Sequence, residues 1–238
     1  MGGRGGGSSR STVVKGKDLT VDLEKFIAQN PIISEFFELA EEKGFYWNPR
    51  NYDASHELEN YMADIFANQG FNGLPTVVSA GELDNLVSSG QVEELWRGMS
   101  ATSEADLKHY VNDFMSGSMF IEGSGTSYGR GIYLANSITE ARAYSIGNSQ
   151  GNSSRTVDRI ALRSSARIAE ISSRRYNAMN TFEQAQYTTS LASRGYDALR
   201  VTGASGNSRV RKAGGGTKQT YTIVYNRTAL VTDGRNYY

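Results

Sequence analysis

Arg97 sits in the middle of an apolar run, ELWRG (94–98), after Leu95 and Trp96 and before Gly98. Strand arginines usually point to solvent. One followed by glycine and then by a new helix is placed at a cleft, where its planar fork can grip a phosphate or a ribose hydroxyl. A second group lies in YGRGIYLANS (128–137), where Gly129 and Gly131 run into an apolar strand. On that strand Tyr133 and Ala135 face away from Ile132 and Leu134, so one face meets the core and the other can meet a ligand. Two explanations of the glycines stand side by side. They let backbone approach a ligand at a cleft floor, or they turn a hairpin corner with Tyr133 as ordinary core. Phosphate loops are excluded. The glycines at 123, 125, 129 and 131 miss the G-x-G-x-x-G spacing, no G-x-x-x-x-G-K is present, and a strand follows where both mechanisms need a helix N-terminus.

Composition removes other chemistries. The 238 residues contain no cysteine, which excludes disulfides, thiolate nucleophiles, zinc–thiolate sites and iron–sulfur clusters. With His56 and His109 the only histidines, a multi-histidine metal centre is not expected, and no metal is predicted. Twenty-five basic residues balance 25 acidic ones, so whole-molecule charge selects no partner. MGGRGGGSSR has no apolar signal core, Gly6 stands where a myristoylation motif needs Ser or Thr, and no stretch is long and apolar enough to span a bilayer. No membrane association is expected.

The elements that must position these residues follow from local pattern. Residues 1–17 are Gly/Ser-rich with Arg4, Arg10, Lys15 and Lys17 and no acid before Asp18, which predicts a disordered basic tail. Residues 18–74 read as a helical region. One helix opens at Pro31 with Ile33, Phe36, Phe37 and Ala40 on one face. A second carries Leu58, Tyr61, Met62, Ile65 and Phe66, and the aromatic loop GFYWNPRNYD joins the two. From residue 75 to 238 short strands alternate with capped helices. The strands are PTVVS, ELWRG, SMFIE, GIYLA, VDRIALR, RIAEI, YDALRV, QTYTIVY and TALV. Helices start at Ser79/Glu82, Ser103/Asp106 and Ser137/Glu140, and another spans Thr181 to Ser193. The order predicts an α+β fold with mixed or antiparallel sheets.

Arg97-Gly98, YGRGIYLANS, Tyr144 of A-x-x-Tyr, GYDAL (195–199) and TYTIVYNRTAL (220–230) together resemble the mono-ADP-ribosyltransferase superfamily, in its bacteriophage and prophage versions. The resemblance covers roughly residues 75–231. It implies a split β-sandwich core that binds NAD, as substrate, in a cleft between two small sheets. The activity it implies is cleavage of the nicotinamide–ribose bond and transfer of ADP-ribose to an acceptor. Arg97 matches the family's first-motif arginine, with Gly98 beside it. Tyr133 matches the tyrosine that stacks on nicotinamide in one branch, and Ser137 is what remains of the Ser-Thr-Ser motif of the other. Gly131 and Tyr144 complete the NAD-binding positions.

The third motif departs. Where the family places a glutamate on its last catalytic strand, this chain has Tyr221, with Gln219 two residues before. A phenol can hydrogen-bond a ribose hydroxyl but carries no negative charge near neutral pH. The resemblance therefore implies either a transferase relying on Gln219 and Tyr221, a carboxylate recruited from Glu122 or Asp197, or an altered or inactive virion or accessory protein that binds NAD or nucleic acid. In the family the loop before this strand contacts the target. Here it carries Arg209, Arg211, Lys212 and Lys218, which suits an acidic protein or nucleic-acid acceptor. The location this implies is the bacterial host cytoplasm, with carriage in the virion as a further option.

Overall fold

Side-chain caps decide where the helices begin. The computed structural model describes residues 13–15, 25, 28–42, 64–116, 128–129, 131–147, 154–205 and 218–236. Helix α1 spans Pro31–Glu42 and α2 spans Ala80–Ser88, where Ser79 Oγ accepts from the Glu82 amide. In α3 (Glu104–Ser116) the Ser103 hydroxyl accepts from the Asp106 amide, and in α4 (Ile138–Gly147) Ser137 accepts from Glu140 at 3.2 Å. A single-turn helix α5 (Ser173–Tyr176) is capped by Ser172. The reciprocal box of Asn180 and Glu183 starts α6 (Thr181–Ser193), and Gly195, at φ +75°, follows its end. Each cap satisfies an amide the first turn leaves unpaired.

The strands are β1 (Val13–Lys15), β2 (Thr76–Val77), β3 (Val92–Ala101), β4 (Ile132–Ala135), β5 (Ser154–Arg163), β6 (Ile168–Ser172), β7 (Ala198–Ser205), β8 (Lys218–Val224) and β9 (Leu230–Asn236). They form one sheet in the order β1-β6-β7-β8-β4-β3-β5-β9-β2. β1–β6, β6–β7 and β9–β2 pair in parallel, and every other pair is antiparallel, so the fold is α+β with a mixed sheet. The sheet has a waist. β3 pairs residue by residue with β5 from Val92↔Arg163 to Ala101↔Ser154, whereas β3 and β4 share the single pairing Trp96↔Ala135.

One apolar cluster draws on both halves, joining Ile132, Leu134, Ala198 and Val224 to Leu95, Ile160, Leu162 and Leu230. This is packing that a sandwich core needs. A second cluster lies against β7 and β8, where Ile33, Phe37, Ile65, Phe66 and Phe71 bury with Tyr187, Leu191, Val201 and Ile223. The N-terminal helical region thus shares its core with the strands.

Three elements differ from the sequence reading. Val13–Lys15, inside the segment expected to be a disordered tail, pair with Ile168–Glu170, because two β-branched residues suit an open parallel edge. Thr228 and Ala229, read as strand, form a 3₁₀ turn across Arg227–Ala229 in which the Asn226 side chain accepts from the Thr228 amide. β3 extends past ELWRG on both sides because β5 offers it a full ladder. SMFIE, the aromatic loop and the basic-loop residues Arg209, Arg211 and Lys212 lie outside the described residues, as do Leu58, Tyr61 and Met62 of the second expected helix.

Candidate functional site

Strand register puts Tyr133, Ala135, Tyr221 and Ile223 on one face. Antiparallel partners opposite one another share a face, and Tyr133 pairs with Ile223 and Ala135 with Tyr221. Gln219 is two residues before Tyr221 on β8 and joins them. The Trp96↔Ala135 pairing carries that face across the waist, where α4 lies on it. Contact there is close: a Cβ built on Gly98 falls 1.8 Å from the Ala141 carbonyl oxygen. Gly98 is therefore occupied by helix packing, and α4 brings Tyr144 over the cluster.

The result is a group of tyrosines joined by hydroxyls. The rings of Tyr128 and Tyr144 flank Tyr221, with centroids at 5.9 and 6.0 Å. The Tyr144 and Tyr221 hydroxyls are hydrogen-bonded, and the Tyr221 hydroxyl donates to Gln219 Oε1. A hydroxyl has one proton, so Tyr221 spends its own on Gln219 and must accept from Tyr144. The chain of donation runs Tyr144 to Tyr221 to Gln219. At its end the amide nitrogen of Gln219, buried at 2% exposure, has no hydrogen-bond partner. Burial raises the phenols of Tyr128, Tyr144 and Tyr221 above their ordinary range. All three are neutral at physiological pH. Tyr133 and Tyr144 are half-buried and form the accessible edge of the group.

The Tyr133 hydroxyl accepts from the Tyr128 amide at 2.8 Å and donates to the Gly129 carbonyl at 2.7 Å. It fixes the turn leading into β4 while leaving its ring on the site face. The glycines of that turn answer to packing. At Gly129 (φ +87°) a Cβ falls 2.7 Å from Thr188, and at Gly131 (φ +153°) it falls 2.4 Å from Ile223 and 3.0 Å from the Val224 carbonyl oxygen. The space in front of Gly131 is filled by β8, which corrects the expectation that it opens a cleft floor. Ser137 caps α4.

Arg97 is not part of this group. Its neighbours Trp96 and Gly98 take the α4 face, so its own side chain enters the core shared by the two halves, 4% exposed, with the guanidinium 5.1 Å from the Phe114 ring centroid. Asp158 is its cross-strand partner. Burial lowers the Arg97 pKa to about 10, Asp158 opposing and Arg227 adding, so the group stays charged at neutral pH. One guanidinium nitrogen, Nη1, is buried without a hydrogen-bond partner.

Of the carboxylates considered as substitutes, Asp197 accepts from the Arg167 amide at 2.7 Å and from Asn226 Nδ2 at 2.6 Å, so it ties the starts of β6 and β7 to the β8–β9 turn. Glu122 lies outside the described residues. Sequence reasoning missed Glu140. Read as a helix cap, it is 9% exposed with Oε2 buried and unpartnered, and its charge is felt by Tyr144 and Tyr221. Burial raises its carboxyl above the ordinary range, opposed by a hydrogen bond from the Asn136 amide.

Among the described residues no group of three or more His, Asp or Glu is placed to hold a metal, and no helix is long and apolar enough to cross a membrane. Comparison with protein-family models, with curated proteins and with solved structures returns no match to this chain.

Proposed function

We propose that the chain is an NAD-dependent mono-ADP-ribosyltransferase whose site lies at the sheet waist, on the face shared by Tyr133, Tyr144, Tyr221 and Gln219. The observation that carries this reading is that cluster. Tyr144 on α4 and Tyr221 and Gln219 on β8, three positions singled out by the sequence resemblance, meet through a ring contact and a directed hydrogen-bond chain, and Tyr133 on β4 shares their face. The waist supports the same reading, because a split sandwich needs two half-sheets that part at one line.

In this reading the aromatic edges of Tyr133 and Tyr144 stack on the nicotinamide ring. The unpartnered Gln219 amide donates to a ribose hydroxyl. Glycosidic cleavage passes through an oxocarbenium-like state, and the neutral hydroxyl chain orients the donor without adding charge. Arg97 acts from behind the strand, its guanidinium over the Phe114 ring holding β3 in place beside the site. The acceptor is a host or phage protein or nucleic acid, docked in part through the loop that ends at the exposed Lys218. The protein acts in the bacterial cytoplasm, delivered there by the virion or made by the phage.

A second reading is favoured by Tyr221 itself, which brings no carboxylate to β8. In it the chain is a phage accessory protein that keeps the fold and binds NAD or nucleic acid without transfer. The experiment incubates the full chain with labelled NAD and bacterial lysate, beside Tyr144→Ala. Label on a macromolecule, lost with the variant, supports the transferase. Heat of NAD binding without label supports the accessory protein. Neither label nor binding overturns both.

A further inference from the structure

We propose that Glu140, from the first turn of α4, is the catalytic carboxylate of this site, in the place that Tyr221 vacates on β8. The inference rests on the transferase reading above and names the group that reading lacks.

Geometry carries it. Glu140 and Tyr144 are four residues apart on α4 and therefore lie on the same helix face. Tyr144 is the residue whose hydroxyl reaches Tyr221, so the face that presents Tyr144 to β8 presents Glu140 beside it. The Asn136 amide favours the charged form of Glu140. Its Oε2 is buried with no hydrogen-bond partner, in a residue 9% exposed. A buried carboxylate oxygen with nothing to accept is costly unless a ligand supplies the donor. Across the cluster stands the complementary orphan, the amide nitrogen of Gln219. An unmet acceptor and an unmet donor on either side of a tyrosine pair suit a diol, which offers both an O–H and a lone pair, and the nicotinamide ribose of NAD has one.

The step balances without a further reagent. The C1′–N bond breaks and its electron pair leaves with neutral nicotinamide. Glu140, holding the ribose 2′-hydroxyl, faces the positive charge that develops on the ring. The acceptor's lone pair forms the new bond to C1′, and its proton passes to Glu140 and then to water. Burial, which makes Glu140 a stronger base than a solvated carboxylate, favours its taking the acceptor's proton.

A purely structural role is the competing account, since Glu140 stands at the third helical position after Ser137. Glutamine serves that capping position as well as glutamate. Glu140→Gln therefore keeps the cap and removes only the charge. With the full chain, nicotinamide release from NAD is followed with water or lysate as acceptor, together with NAD affinity by calorimetry and the melting temperature. The expected result for Glu140→Gln is a kcat lower by roughly 100-fold, an NAD Kd within a factor of about three, and a melting temperature close to wild type. Glu140→Asp, which retains the charge on a shorter arm, keeps more turnover than Glu140→Gln. Wild-type turnover by Glu140→Gln, or less turnover by the aspartate variant than by the glutamine one, overturns Glu140 as the carboxylate and leaves the transferase reading intact. A wild-type chain that releases no nicotinamide overturns both.

Discussion

Replacing Gly98 with alanine tests how the site is held together. A Cβ at this position lies 1.8 Å from the Ala141 carbonyl oxygen, 2.7 Å from its carbon and 3.0 Å from the Ser145 nitrogen. These atoms are backbone and belong to one hydrogen-bonded turn of α4, so no side-chain rotation relieves the overlap. Reaching even 3.0 Å from the oxygen moves helix or strand by about 1.2 Å. Overpacking of this kind costs about 1–3 kcal/mol, and a backbone clash belongs at the upper end. For a chain of this size about 3 kcal/mol lowers the melting temperature by roughly 6–12 °C. The same shift carries Tyr144 and Glu140 away from Tyr221, and a misplacement of about 1 Å in a reacting constellation costs on the order of 100-fold in rate. Thermal melts and nicotinamide release measure the two effects. Gly81→Ala is the control: its Cβ meets nothing within 4 Å, in a helix, so it is neutral or stabilising by up to about 1 kcal/mol. A Gly98→Ala protein melting within about 2 °C of wild type would refute the proposed contact between α4 and β3.

Further outcomes follow from the same contacts. Tyr133→Phe removes the hydroxyl that holds the Tyr128 amide and the Gly129 carbonyl, and should cost about 1–2 kcal/mol in urea denaturation while speeding hydrogen exchange at the Tyr128 amide. Tyr221→Phe breaks the chain from Tyr144 to Gln219 and should cost about 1–3 kcal/mol, with a rise in KM for NAD if Gln219 positions the ribose. Asp158 has its pKa raised, chiefly by burial, against the pull of Thr156 and Arg97 and with Asp233 adding. A folded value above the unfolded one means the native state binds the extra proton. Wild type should therefore gain stability relative to Asp158→Asn as pH falls through the raised value toward the ordinary 3.8, and lose it again as pH rises. Paired urea titrations at pH 7 and pH 4.5 read that difference.

What could be read from the chain was local. Ser79 with Glu82, Ser103 with Asp106 and Ser137 with Glu140 are short-range hydrogen-bond patterns, and each starts a helix where its spacing predicts. The approach of Tyr133 to Tyr221 was legible only in outline, because it needed the β4–β8 register as well as the alternation. Arg97 shows the limit. Its strand was evident, but which face it takes is settled by the one pairing of Trp96 with Ala135 and by Phe114 from α3. Gly131 misleads for a related reason: the atoms that exclude a side chain there belong to Ile223 and Val224, some 90 residues on in the sequence. Glu140 was hidden by its own clarity, since a residue that completes a capping pattern invites no second question.

The waist of the sheet is weak in hydrogen bonds but not in covalent connections. β2, β3, β5 and β9 stand on one side of the Trp96↔Ala135 rung, and β1, β4 and β6 to β8 on the other. The polypeptide crosses that line from β1 to β2, from β3 to β4, back to β5, over to β6, and back again from β8 to β9. It is stitched like a laced seam. Neither half is a continuous stretch of chain, so no single cut separates the two half-sheets, and the half that holds β3 and β5 is completed only when β9, the last strand of the chain, joins it. A flexing motion at the seam stays tethered at every crossing, which keeps the two half-sheets from drifting apart.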